Sequence, residues 1–181
     1  MTIPRKLSLR KIDETIDLIS YPVQSFDDLL VHEIKKNMVL APKAIENIMY
    51  NTFNQAEIKF ETSSKNFRLH FKNPLGEVLM LTMDASTDAF FVDRSKSGKI
   101  DFQEDFGALE RMPIPNLPDA QFEVRILMDW SSIEIFINRG QYVMTALLYP
   151  NEPYNRLEIE NSDTLPQEFK EFGVNAVNRI W

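Results

Sequence analysis

From Ala56 onward the chain alternates. Ala56, Ile58 and Phe60 are apolar, and Glu57, Lys59 and Glu61 between them are charged. Phe67, Leu69 and Phe71 repeat the pattern around Arg68 and His70. Phe122, Val124, Ile126 and Met128 repeat it again, as do Ile133, Ile135 and Ile137 around Glu134 and Phe136. A period of two is that of a β-strand with one face buried and one wet. Val78–Met83 is apolar except for Thr82, the pattern of a strand covered on both faces. Ala89–Asp93, Tyr142–Tyr149, Arg156–Glu160 and Val174–Trp181 complete the series, the last as a closing strand.

Turn chemistry separates these runs. Asn73-Pro74-Leu75-Gly76 and Ser95–Gly98 are turns by composition. Asn138-Arg139-Gly140 is a hairpin loop, since Asn and Gly tolerate positive φ. Met112–Pro118 carries three prolines and reads as an extended loop. The first 55 residues are less regular. Met1–Arg10 reads as an entering edge strand or linker, and Leu18–Val23 as a second extended piece with Pro22 confining it to an edge. Ser25–Ile34 is compatible with one helical turn or more. In Ala41–Tyr50, Ile45, Ile48 and Met49 have helical spacing over a short segment. Many short strands with turns between them predict an all-β, antiparallel two-sheet sandwich or barrel.

Length and composition narrow the picture. With 181 residues, 44% hydrophobic and 11% aromatic, the chain suits one domain over 1–181 and buries roughly 70% of its unfolded surface without staples. The net charge of −7 and the lack of a basic run beyond Arg10-Lys11 and Lys35-Lys36 argue against a nucleic-acid partner. No cysteine is present, which excludes disulfides, thiol nucleophiles and Cys-based zinc sites. No apolar segment is long enough for a helical membrane span, so no membrane partner is expected.

Candidate chemistry is sparse. Asp84 and Asp88, and the cluster Asp101, Glu104 and Asp105, read as loop carboxylates without the spacing of a calcium loop. Asp93 is expected to cap the Ser95–Gly98 turn. Ser131 and Ser132 have only His32 and His70 as possible bases, too little for a triad or a His metal site. His70 is expected to point outward. Glu134 is expected on a wet face; if that face is covered it needs a partner such as Arg125 or Arg94, because an unpaired buried carboxylate is costly. Flat rings that could stack on a sugar are Trp130, Tyr142 and Tyr154, with Tyr149 and Trp181 beside them.

Three stretches carry a resemblance: Met1-Thr2-Ile3-Pro4-Arg5-Lys6-Leu7-Ser8-Leu9, Phe91-Val92-Asp93-Arg94-Ser95-Lys96-Ser97-Gly98, and Met128-Asp129-Trp130-Ser131-Ser132-Ile133-Glu134-Ile135-Phe136-Ile137-Asn138-Arg139-Gly140. With the closing Asn178-Arg179-Ile180-Trp181, their order and spacing resemble the C-terminal module of glycoside hydrolase family 32, the levanases, inulinases and invertases. The resemblance implies a concanavalin A-like (lectin-like) jelly-roll sandwich that follows a five-bladed catalytic β-propeller, with residues 1–10 as the junction. In that family retaining fructosyl hydrolysis needs an Asp nucleophile and a Glu acid/base about 5–5.5 Å apart. The propeller motifs Trp-x-Asn-Asp-Pro-Asn-Gly, Arg-Asp-Pro and Glu-Cys do not occur in this sequence. The resemblance therefore implies a non-catalytic module with no cofactor, no metal and no catalytic residue. Its expected partner is the catalytic propeller. A lectin-like module that binds fructan oligosaccharides through Trp130, Tyr142 and Tyr154 is the alternative, homo-oligomerisation is a further expectation, and an exported parent fits a polysaccharide substrate.

Overall fold

A computed structural model describes residues 3–12 and 14–178; Met1, Thr2, Asp13 and Arg179–Trp181, and with them the ends of the family-like segments and the Trp181 ring, lie outside the described residues. The strands are β1 (Arg5–Ile12), β2 (Thr15–Pro22), β3 (Leu30–Leu40), β4 (Ile45–Met49), β5 (Ala56–Thr62), β6 (Asn66–Lys72) and β7 (Val78–Asp84), followed by β8 (Ala89–Lys96), β9 (Glu110–Pro113), β10 (Phe122–Asp129), β11 (Ser132–Ile137), β12 (Tyr142–Leu147), β13 (Arg156–Asn161) and β14 (Gln167–Val177). They form two antiparallel six-stranded sheets, in the orders β12-β11-β10-β5-β14-β3 and β4-β13-β6-β7-β8-β9, and a separate two-stranded ribbon, β1-β2. The expected all-β sandwich is what forms.

The inner faces are the alternating apolar positions. Ile58, Phe60, Val124, Ile126, Ile133 and Ile135 of the first sheet meet Phe67, Leu69, Phe71, Leu79, Leu81 and Val92 of the second, all fully buried. Phe60 and Phe67 meet edge to face across the gap at 5.7 Å, and Phe169 lies 5.5 Å from Phe60, a geometry that aromatic quadrupoles favour.

Several turns follow their chemistry. The Asn73 side chain accepts from the Leu75 and Glu77 amides, and Gly76 takes φ 81°. Asp93 accepts from the Ser95 amide at 2.9 Å. Asn138, Arg139 and Gly140 all take positive φ. Gly140 is also required by packing: a Cβ there would come within 2.2 Å of the Ser20 carbonyl oxygen, because this loop lies against β2 and Gly140 O accepts from Ser20 N–H.

Other segments depart from expectation. Gln24–Leu29 is a six-residue 3-10 helix of about two turns, and β3 begins directly after it. Ile45, Ile48 and Met49 lie on the edge strand β4, where pairing with β13 overrides their helical spacing; Ile48 is buried, whereas Ile45 and Met49 are exposed. Strand β7 is not covered on both faces: Leu79, Leu81 and Met83 point inward and Val78, Met80 and Thr82 are only half-buried. The first residues of the proline-rich Met112–Pro118 stretch belong to strand β9.

Candidate docking face

Over β10 and β11 the outer face of the first sheet is not wet. Alternation turns Glu57 of β5, Glu123, Arg125 and Leu127 of β10, and Glu134 and Phe136 of β11 away from the core. All six are nonetheless buried, with Arg125 2%, Glu57 1% and Glu134 3% exposed. The cover is the β1-β2 ribbon and the 3-10 helix behind it, which pack Tyr21, Val23, Phe26 and Leu29 against Leu127 and Phe136.

Charge pairs hold this seam together. Arg125 donates to Glu57 across the sheet and to Asp27 of the 3-10 helix, while its guanidinium faces the Tyr21 and Phe26 rings at 5.3 and 5.7 Å. Burial opposes that charge, but the Glu57 carboxylate, Tyr21 and Asp27 together outweigh it, and the Arg125 pKa is raised. The Tyr21 hydroxyl donates to Glu123; burial first and this carboxylate second push the Tyr21 pKa up. Glu134 accepts from the Ile3 amide at 2.8 Å and from the Arg5 guanidinium, and Arg5 stands over Phe136 at 5.0 Å. Glu134 is thus on a covered face rather than a wet one. Its partner is Arg5, not Arg125 or Arg94.

The ribbon itself is amphipathic in an inverted sense. Tyr21, Ile19, Asp17 and Arg10 face the sheet or its β11–β12 loop: Ile19 is 7% exposed, Arg10 donates to Asn138 O and Gln141 donates to Asp17. The alternate residues face outward. Among them are Leu7, Leu9, Ile16 and Leu18, exposed by 63%, 72%, 69% and 59%, with Lys11 opposite Ile16 and Ser20 opposite Leu7. Leu9 stands directly opposite Leu18, and Leu7 and Ile16 flank that pair by register. The ribbon turns Ile19, Tyr21, Asp17 and Arg10 to the sandwich and leaves a stripe of leucine and isoleucine bare.

The three expected sugar-facing rings do not converge. Trp130 sits in the β10–β11 turn and is 48% exposed. Tyr142 opens β12 at the opposite end of the six-residue strand β11, about 17 Å away at 3.4 Å per residue. Its ring is half-buried against the core and its hydroxyl accepts from the Asn116 amide. Tyr154 is completely buried: its ring packs on Phe71 and its hydroxyl donates to Ser97 O. A ring with no accessible face cannot stack on a sugar, so Tyr154 is a core residue. Tyr149 is 38% exposed and lies 5.4 Å from Phe102, itself 51% exposed.

The polar candidates are equally scattered. His70 does point outward, where it is half-buried with Nε2 3.6 Å from Glu160. Ser132 is buried in β11, and Asp84 serves its own turn by accepting from Ser86. Asp101, Glu104 and Asp105 are exposed, and among the described residues no three His, Asp or Glu side chains are grouped as a metal site. The buried outer-face charges were the signal that sequence reasoning missed, because a ribbon more than 100 residues away covers them.

Comparison with known proteins bears on this architecture. Residues 30–175 match the family "Glycosyl hydrolases family 32 C terminal". The chain is 25% identical over its whole length to a levanase from a Bacillus species, of which it covers 20%. It is 30% identical over 80% of its length to sucrose-6-phosphate hydrolase from Streptococcus mutans, of which it covers 28%. In fold it superposes on the crystal structure of exo-inulinase from Aspergillus awamori with a TM-score of 0.82 at 17% identity, over 99% of this chain and 36% of that one. The chain therefore spans less than a third of the curated relatives named here.

Proposed function

This chain belongs to the family of C-terminal modules of family 32 glycosyl hydrolases, and from that premise we propose that it is the non-catalytic sandwich of a retaining fructosyl glycosidase. In this reading the module supports a catalytic β-propeller, and residues 1–10 form the junction between the two. The observation that carries the reading is the bare stripe Leu7, Leu9, Ile16 and Leu18. An isolated ribbon has no reason to turn its leucines to water and its Tyr21 and Arg10 inward. A ribbon clamped between two bodies does: charge pairs fix it on the sandwich, and apolar burial fixes the second body on it. Exposed apolar patches of this kind mark interaction surfaces.

The names of the relatives support a fructan or sucrose substrate for the whole enzyme. In this reading the module contributes no hydrolytic step: the chain spans only a fraction of the relatives it matches, and the family's propeller motifs do not occur in its sequence. Its contribution is to hold the propeller's orientation and to raise the stability of the assembly.

Alone in solution the chain has nothing to cover the stripe, so it is expected to self-associate with rising concentration. Sedimentation velocity measures this. The wild-type chain should shift towards dimers, and Leu9→Lys with Leu18→Lys should stay monomeric with an unchanged unfolding midpoint. A wild-type chain that stays monomeric at every concentration would remove the basis of the reading.

A further inference from the structure

The ribbon covers only the β10–β12 half of the outer face. Over β3, β14 and β5 the same face is open, and it forms a cleft of about 410 Å³. That size lies within the roughly 300–1,000 Å³ of small-molecule sites. We propose that this cleft binds a neutral, polyhydroxylated ligand, a sugar unit, through His32, Lys59 and Arg139. The inference does not depend on the docking role of the ribbon.

His32 and Asn175 line the cleft, and a buried chain of side chains stands behind them. Arg125, Glu57 and Asn175, all within 4% of full burial, form a chain that ends at His32. Arg125 donates to Glu57, and the Asn175 amide nitrogen donates to the other oxygen of Glu57 at 2.5 Å. A carboxylate only accepts, so this contact fixes the Asn175 amide with its oxygen turned to His32 Nδ1 at 2.5 Å. An amide oxygen also only accepts, so Nδ1 must carry the hydrogen. The neutral imidazole is thereby held as one tautomer, with Nε2 left as an acceptor.

A local irregularity makes that pairing. The β14–β3 register runs from Val174 opposite Ile34 directly to Asn175 opposite His32, leaving Glu33 out of the ladder. In regular pairing Glu33 would face Asn175. The extra residue replaces a carboxylate with an imidazole at this position, a re-aiming that bulges near binding sites commonly perform.

The walls decide the ligand class. Lys59 Nζ pairs with Glu123 at 2.9 Å, and Lys35 pairs with Glu171 at 2.8 Å. These internally neutralised pairs ask for no counter-ion. A sugar hydroxyl both donates and accepts: the half-exposed Lys59 ammonium has hydrogens left to donate, and since both Glu123 oxygens are taken, one by Lys59 and one by the Tyr21 hydroxyl, the acceptor is the free Nε2 of His32. Arg139 and Glu61 line the same cleft, one charge of each sign, and neither has an ion-pair partner among the described residues. Arg139 projects from a three-residue run of positive φ that is braced against β2 through Gly140 and Ser20.

The test is an amide NMR titration of the 181-residue chain with fructose, sucrose and a fructo-oligosaccharide, and with inorganic phosphate as the anionic probe. The expected result is saturable shifts at residues 32, 59, 139, 173 and 175 with a neutral sugar, at a Kd on the order of 1 mM. His32→Ala and Arg139→Asn (the latter compatible with positive φ) should each weaken that binding about tenfold, whereas Trp130→Ala should leave it unchanged. A long-range imidazole spectrum should show His32 protonated on Nδ1 in its neutral form. Saturation by phosphate alone, shifts centred on Trp130, binding untouched by both cleft variants, or no saturable shift at roughly a hundred times that concentration would each overturn the assignment.

Discussion

Where the ribbon and the 3-10 segment cover it, the outer face of the first sheet is buried as fully as the inner one, by opposite chemistry. Toward the core, Ile58, Ile126 and Ile135 have no accessible surface and only apolar neighbours. On the outer side of the same strands, Glu57, Arg125 and Glu134 are 1–3% exposed, and each meets a charge or an amide of the ribbon or the 3-10 helix or across the sheet. The inner face gains free energy simply by leaving water, by about 25 cal/mol for each Å² of apolar surface. The outer face gains little net free energy from its charges, because desolvation offsets most of their attraction. What it gains is a defined seat for the ribbon, since each charge has few acceptable partners. Strength lies on one face and placement on the other.

That division can be broken at three levels. The largest effect is expected inside. Phe60→Ala removes a ring packed on Phe67, Phe169 and Phe172 and should cost about 3–5 kcal/mol in urea unfolding. A loss under about 1 kcal/mol would deny the inner face its role.

On the outer face the signature is non-additivity. Glu57→Leu alone leaves Arg125 buried with only the half-exposed Asp27, and should cost about 3–5 kcal/mol. Combining it with Arg125→Met should recover most of that loss, as replacing both members of a buried pair generally does. A double variant as unstable as the sum of the two single ones would mean that these charges are a source of strength after all.

The smallest effect is a pH dependence on the second sheet. Burial holds the His70 pKa below its ordinary 6.5, and Glu160 only partly counteracts it. The native chain therefore takes up this proton less readily than the unfolded chain. Stability from this site is complete above 6.5 and falls as pH drops through 6.5 towards the lower native value. His70→Gln should flatten that part of a thermal-unfolding profile; a wild-type profile that rises on acidification there would carry the wrong sign.

Much of the inner face was legible from sequence. Alternation in Ala56–Phe60, Phe67–Phe71, Phe122–Met128 and Ile133–Ile137 assigned both the strands and their inward residues, since period two needs no tertiary knowledge. Asn73–Gly76 and Asn138–Gly140 declared their turns by backbone preference. The outer face was not legible. Glu57, Arg125 and Glu134 read as solvated because exposure was inferred from polarity, and the cover over Glu134 comes from residues about 130 positions away. The ribbon strands were read as extended, but their exposed side could not be known until their other side found the sheet. Tyr154 shows the converse limit: as a flat ring it read as a sugar-stacking candidate, and contacts with Phe71 and Ser97 bury it. The expected roles of Trp130 and Tyr142 rested on residue type alone, and their separation along β11 was hidden in the topology.

The central claim is that the bare stripe of the ribbon seats a catalytic domain. Its most direct test is to mix this chain with a family 32 catalytic domain freed of its own C-terminal module and follow the complex by sedimentation. The account predicts a one-to-one complex that Leu9→Asp with Leu18→Asp abolishes while both partners stay folded. No complex with the wild-type chain, or a complex that forms equally well with the doubly substituted ribbon, would contradict it.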